Sequence, residues 1–236
     1  MQQTTSHPRL VTRLTTFATV LAVALLASAP GPAAAASSKQ QALVEHAKAT
    51  FQDFVKDPDM GWFRDHLKES YGIVIFPQVV RAAFIFGAEG GSGVMVAHDD
   101  KKGWSDPAFY FMGSGSFGLQ IGVQAAEIIL MIKSKSGRDA LLTGSFKLGG
   151  DVDVALGPVG AGAKVKTGSI LAFARAKGIF GGISVDGAVV STQDKWNQAY
   201  YDKEGIRPVD ILMLRNVHNK QADALIDAVT EVTEFP

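Results

Sequence analysis

From Phe117 to Gln124 the chain alternates strictly: Phe117, Leu119, Ile121 and Val123 against Gly118, Gln120, Gly122 and Gln124. Period two over this length is the mark of a strand with one apolar face. On a helical template Phe117, Ile121, Gln124 and Ile128 would share a side, and Gly122 would cost about 1 kcal/mol in the helix interior. The alternation matters because it continues directly from Gly113-Ser114-Gly115-Ser116-Phe117-Gly118, which spells G-x-G-x-x-G. In a dinucleotide-binding unit that motif opens a helix whose N-terminus faces the pyrophosphate, with an acidic residue about 20 positions further on. A strand-like AFYFM does precede the glycines, and Asp139 lies 21 residues past Gly118, but IILMIK ends on Lys133 and a strand follows where the helix is required. The glycines therefore belong to a sheet, where they permit bulges, tight bends and close approach of neighbouring backbone. No cofactor is expected.

The rest of the chain agrees with a sheet. YGIVIF, AAFIFGAEGGSGVMVAH, the stretch from Pro107 to Lys133, DALLTGSFKLGGDVDVALG and GSILAFARAKGIFGGISVDGAVVS are rich in β-branched, aromatic and glycine residues. HDDKKGWSDP and SKSGRD read as turn-like breaks between them. Helix is expected before and after. Residues 39–57 place Leu43, Ala47, Phe51, Phe54 and Val55 on one side and stop at Pro58, and a short piece from Trp62 to Ser70 follows. Helical patterns return in DKWNQAYYDK, in PVDILML and in ADALIDAVTEV. The fold class is α+β: a strongly curved, Gly-rich antiparallel sheet, barrel-like, with N-terminal and C-terminal helices. The step from Gly115 to Gly118 shifts the alternation as a bulge would.

Residues 1–36 read as a cleaved export signal. Arg9 and Arg13 precede an apolar segment, Leu14 to Ala29, which Pro30-Gly31-Pro32 breaks ahead of the small residues Ala33 to Ala36. The expected products are a signal peptide, 1–36, and a single domain, 37–236, that is periplasmic or secreted. Cleavage removes two arginines and no acid, leaving 21 basic and 23 acidic residues. With no cysteine in the chain, disulfides, thiolate metal sites and a cysteine nucleophile are excluded.

The charge is unevenly distributed. Between residues 130 and 180, Lys133, Lys135, Arg138, Lys147, Lys164, Lys166, Arg175 and Lys177 face only Asp139, Asp151 and Asp153. Basic groups gathered on one face attract anionic phospholipid headgroups at about 1 kcal/mol each near a membrane surface. Lys133, Lys135, Arg138, Lys147, Lys164 and Lys166 are therefore the expected lipid-binding residues; scattered solvated strand ends are the alternative. Phe51, Phe54 and Trp104 are the candidate membrane contacts, although docking of the first helix on the sheet is the favoured arrangement for its apolar face. His46, His66, His98 and His218 show no metal-ligand spacing and G-x-S-x-G is absent, so no metal site, no catalytic residue and no enzyme are expected. His98-Asp99-Asp100 reads as a solvated turn. Near-neutral charge and export argue against nucleic acid as a partner.

Residues 71–95, 103–132, 141–163 and 170–191, with Asn197, Tyr200-Tyr201 and PVDILML behind them, together resemble the SYLF domain. This family of lipid-binding proteins includes the yeast Ysc type, related to actin binding, and exported stand-alone bacterial members. The similarity covers nearly all of the mature chain. It implies a single SYLF-like domain with a disposition to bind acidic or amphipathic lipid without catalysis. Actin binding rests on family analogy alone. An envelope scaffold that binds a protein partner, still unidentified, is the alternative function, followed by an enzyme acting on lipid or glycan.

Overall fold

In the computed structural model, the described residues are 32–83, 86–117, 122–160, 162, 167–177 and 185–234. Helix α1 (Pro32–Lys56) ends where Asp57 accepts a hydrogen bond from the Asp59 amide and Pro58 cannot continue the α-helical ladder. A short helix α2 (Gly61–His66) follows. The sheet comprises β1 (Gly72–Ala83), β2 (Phe86–Asp99), β3 (Gly103–Trp104), β4 (Ala108–Phe117), β5 (Gly122–Ile132), β6 (Ser145–Lys147), β7 (Val154–Leu156), β8 (Ile170–Lys177) and β9 (Val189–Thr192). Helix α3 (Lys135–Leu141) lies between β5 and β6. After β9 come α4 (Asp194–Tyr201), a π-helical turn (Asp210–Leu214) and α5 (Asp223–Glu234).

The strands run in the order β6-β9-β4-β2-β1-β5-β8-β7, with β3 attached to β2. Each pairing is antiparallel except β7 with β8, which is parallel, so the expected antiparallel sheet is in fact mixed at one edge. The sheet curls into a half-barrel flanked by N-terminal and C-terminal helices. The β1–β2 hairpin lies between β4 and β5, so the glycine motif in β4 feeds a strand on the far side of that hairpin. The four residues between Phe117 and Gly122 are too few for the helix that a dinucleotide site needs. Of the alternating stretch, Phe117, Gly122, Val123 and Gln124 are in strands, and residues 118–121 lie outside the described residues.

Central strand β1 carries a proline, which has no amide to give the ladder. The chain solves this with one extra residue: Phe76 faces Ile128 and Val79 faces Ala126 on β5, while Ile75 and Val80 face Val94 and Gly90 on β2. The resulting bulge at Pro77-Gln78 drives the β1 backbone toward β2. There, Gly91 and Gly93 receive it: a Cβ on Gly91 would collide with the Gln78 carbonyl, and one on Gly93 with the Ile75 carbonyl and the Phe76 ring. Glycine serves a bulge at Pro77-Gln78, and Gly118, the far end of the expected Gly115–Gly118 bulge, lies outside the described residues. The described part of the Gly115–Gly118 step pairs with β2 without a register shift.

Both faces of the sheet are buried over half its length, which explains the unbroken apolar run Ile73–Phe76. Val74, Phe76, Met95, Tyr110, Met112, Ile128 and Leu130 point into the half-barrel, where Leu141, Ile206 and Ile211 help to fill the hollow. Ile73, Ile75, Val94, Val96, Phe109, Ile129 and Met131 point outward beneath α1, α2, α4 and α5. Tyr110 is fully buried and donates to the Leu141 carbonyl at 2.7 Å, and desolvation pushes its phenol far above the ordinary range. Where β9 stops, α4 completes the edge of β4: the Phe109 amide donates to Asn197 Oδ1 at 2.8 Å, and the Gln193 amide donates to the Phe109 carbonyl at 2.9 Å.

Candidate functional site

Beyond the helices, the outer face of the sheet exposes apolar side chains that nothing covers among the described residues. One register row crosses five strands there: Lys147 on β6 faces Val189 on β9, which faces Gly113 on β4, which faces Gly90 on β2, which faces Val80 on β1. Val80 in turn faces Ala125 on β5, and Val123 stands two residues along on the same face. Val80 is 38%, Val189 42% and Val123 76% exposed. Phe111, 43% exposed, shares this face with Gly113, and its ring lies over two glycines. A Cβ at either Gly90 or Gly113 would come within 2.9 Å of that ring. The two glycines thus make a floor on which one phenyl ring spans neighbouring strands, and the row becomes a shallow apolar shelf. Single exposed apolar residues are ordinary on protein surfaces, whereas a contiguous set on a rigid sheet marks an interaction surface.

On the opposite face of the same strand ends, Arg81 pairs in register with Glu89. Desolvation raises the Glu89 carboxyl above its ordinary value, with the nearby Arg81 charge opposing the shift. A raised folded-state value means that the folded chain holds this proton more tightly than the unfolded chain. The associated stability is fully present below the unfolded value and is lost as pH rises through the folded one. Glu89→Gln should therefore flatten the fall in melting temperature as pH rises above the ordinary carboxylate range, and raise stability at neutral pH. A pH profile that matches the wild type would show that Glu89 is not desolvated.

Among the described residues, the expected basic set does not share one surface. Lys133, Lys135 and Arg138 sit at the other end of the sheet, where β5 runs out against the start of β1. From Ala125 to Lys133 is eight residues, roughly 26 Å of strand. Lys133 pairs with Glu69 at 3.2 Å and lies over the Trp62 ring, and Arg138 pairs with Asp139 at 2.9 Å and covers Tyr71. Lys135 is exposed in the first turn of α3, a helix that replaces the expected turn-like break. Lys147 is exposed at the end of the apolar row. Lys164 and Lys166 lie outside the described residues. Arg175 is turned inward, 3.3 Å from Asp57 and 3.6 Å from the buried carboxylate of Glu127, with its guanidinium over Phe54. It joins the helix layer to the sheet, a role that counting it within a basic segment misses.

The candidate membrane contacts are core residues. Phe51 and Phe54 are fully buried, edge-on to Phe63. Trp104 is 6% exposed and its Nε1 donates to Thr233 Oγ1 at 3.1 Å, tying β3 to α5. The physical reason is that the apolar stripe of α1 meets the outward residues of a ready-made sheet, so it buries there. Asp99 accepts from the amides of Lys101 and Lys102, which lowers its carboxyl and marks a self-contained turn. The row of Val80, Phe111, Val123 and Val189 was missed from sequence. The glycines that floor it were visible, but their pairing partners were not.

A glycine-floored half-barrel sheet with an exposed apolar row and a helical cover defines a binding module. The chain belongs to the Ysc84 (SYLF) family, described as Las17-binding protein actin regulator, which matches residues 113–232. It is similar to protein YSC84 of Saccharomyces cerevisiae, 32% identical over 57% of this chain and 30% of that one. It is also similar to the Homo sapiens SH3 domain-containing YSC84-like protein 1, 26% identical over 71% of this chain and 50% of the relative. LAS seventeen-binding protein 3 of Saccharomyces cerevisiae is 28% identical over 58% of this chain and 31% of its own length. The chain thus spans between about a third and about half of these relatives. No solved structure matches it significantly.

Proposed function

We propose that the protein is a non-catalytic binding module that rests its exposed apolar row on an anionic lipid surface after export through residues 1–36. The observation that carries this reading is Phe111, an exposed ring held on a glycine floor in line with Val80, Val189 and Val123. Lys147 stands at the end of the row, where a cation would meet headgroup phosphates while the ring and valines enter the apolar margin. A second reading, docking of a protein partner on the same row, is favoured by the family's description as Las17-binding.

The test is sedimentation of the mature protein with liposomes of phosphatidylglycerol or cardiolipin and with neutral phosphatidylcholine. Binding is expected to the acidic liposomes and to weaken between low and high salt, since exposed charges are screened within about 8 Å at physiological ionic strength. Phe111→Ser with Val123→Ser should weaken it at least tenfold, because burying one such side chain contributes roughly 1.5–3 kcal/mol. Lys147→Glu should weaken it less. If Lys133→Glu, Lys135→Glu and Arg138→Glu together abolish binding while the row variants bind normally, the contact lies at the other end of the sheet. If acidic liposomes are ignored altogether, the protein-partner reading replaces this one.

A further inference from the structure

A cleft of about 460 Å³ opens in the helix layer between the end of α1, α2 and α5. That volume is within the range of small-molecule pockets. Val55, Val232 and the edge of Ala228 give the cleft an apolar wall, backed by the buried Phe51 ring. Arg64, Lys56 and Lys68 stand around it with Asp65 and Glu231, three cations to two acids. Arg64 is anchored: its Nη1 donates to the Val55 carbonyl at 2.8 Å and to the Asp57 carbonyl at 2.7 Å, both at the open C-terminal end of α1. Its Nε and Nη2 take no partner among the described residues. Lys56 and Lys68 are exposed and form no ion pair among the described residues.

A guanidinium held by one nitrogen, with no partner for the rest of its planar fork among the described residues and an apolar wall in the same cleft, is prepared for a carboxylate that carries a hydrocarbon tail. The excess of a single positive charge suits a monoanion better than a multiply charged headgroup. We propose that this cleft binds a medium-chain alkyl carboxylate, with the chain along Val55, Val232 and the edge of Ala228 and the head on Arg64, assisted by Lys56 and Lys68. The cleft shares no residue with the apolar row, so this inference stands apart from the lipid-surface reading.

The experiment is calorimetric titration of the protein with octanoate and decanoate below their micelle concentrations, with decyltrimethylammonium as the oppositely charged control. Saturable binding is expected, tightening about fourfold for each added methylene, with none for the cation. Val232→Trp, at a half-buried position on the cleft wall, should abolish it while the melting temperature stays near that of the wild type. Lys68→Glu should weaken it several-fold, and Arg64→Lys, which keeps the charge and loses the fork, about tenfold. The proposal is overturned if neither carboxylate saturates, if the cation binds as well as decanoate, or if folded Val232→Trp binds decanoate unchanged. Membrane sedimentation of Val232→Trp should match the wild type, which separates this cleft from the strand-tip row.

Discussion

Gly91→Ala should lower the melting temperature by roughly 5–10 °C, whereas Gly115→Ala should leave it unchanged or slightly raised. Both glycines lie in the same curved sheet, and both substitutions add one methyl group. They differ in what that methyl meets. At Gly91 it meets the Gln78 carbonyl, pushed toward β2 by the bulge that Pro77 requires. Backbone cannot rotate aside as a flexible side chain can, so relief requires moving the central strand. Overpacking of this kind costs about 1–3 kcal/mol or more, and each kcal/mol moves the midpoint of a domain this size by about 2–4 °C. At Gly115 nothing lies within 4 Å of the added carbon, and the loss of unfolded-state freedom contributes about 0.4–1 kcal/mol in favour of folding. Thermal melts followed by far-ultraviolet dichroism decide it. Equal midpoints for the two variants would mean that the bulge does not press on β2.

Phe63→Ala should be the most damaging single truncation of the helix layer, at about 3–5 kcal/mol. Phe63 is fully buried on α2, and its ring meets three others edge-on: Phe51 at 6.2 Å, Phe54 at 6.3 Å and Phe173 at 5.2 Å between centroids. Two of these belong to α1 and one to β8, so the ring is the point at which both helices and the sheet interlock. Edge-to-face pairs add about 0.5–1.5 kcal/mol each to the area they bury. The expected result is a lower urea midpoint with the slope little changed. Phe111→Ser is the contrast, also removing a phenyl ring but from the exposed row, and it should move stability by no more than about 0.5 kcal/mol. A Phe63→Ala midpoint close to that of Phe111→Ser would show that α2 does not fasten the helix layer to the sheet.

The α+β class, the helices at both ends and the family were legible in the chain itself. Amphipathic spacing in 39–57 names most of the buried side of α1: of Leu43, Ala47, Phe51, Phe54 and Val55, the middle three are buried and the outer two half-buried, while Val44, on the next position, is buried in place of Leu43. Alternation across 117–124 rules out a helix after the glycine motif, and β5 begins at Gly122. These are local properties: side-chain period follows from backbone geometry within a few residues, whatever the rest of the chain does.

Only the tertiary structure decided which end of the sheet exposes apolar side chains and where the described charges go. Val80, Phe111, Val123 and Val189 are scattered over 110 positions of sequence and become one row because β1, β2, β4, β5 and β9 are brought into a particular register. Lys133 and Lys147 look alike in sequence, yet one pairs with Glu69 and the other ends the apolar row. Arg175 belongs to a basic run in sequence and to a carboxylate cluster in space. Pro77 forces the extra residue in β1, but that Gly91 and Gly93 must yield to it follows from strand pairing. Periodicity fixes which residues face the same way along one element; register and packing, which depend on contacts distant in sequence, fix what each of those faces meets.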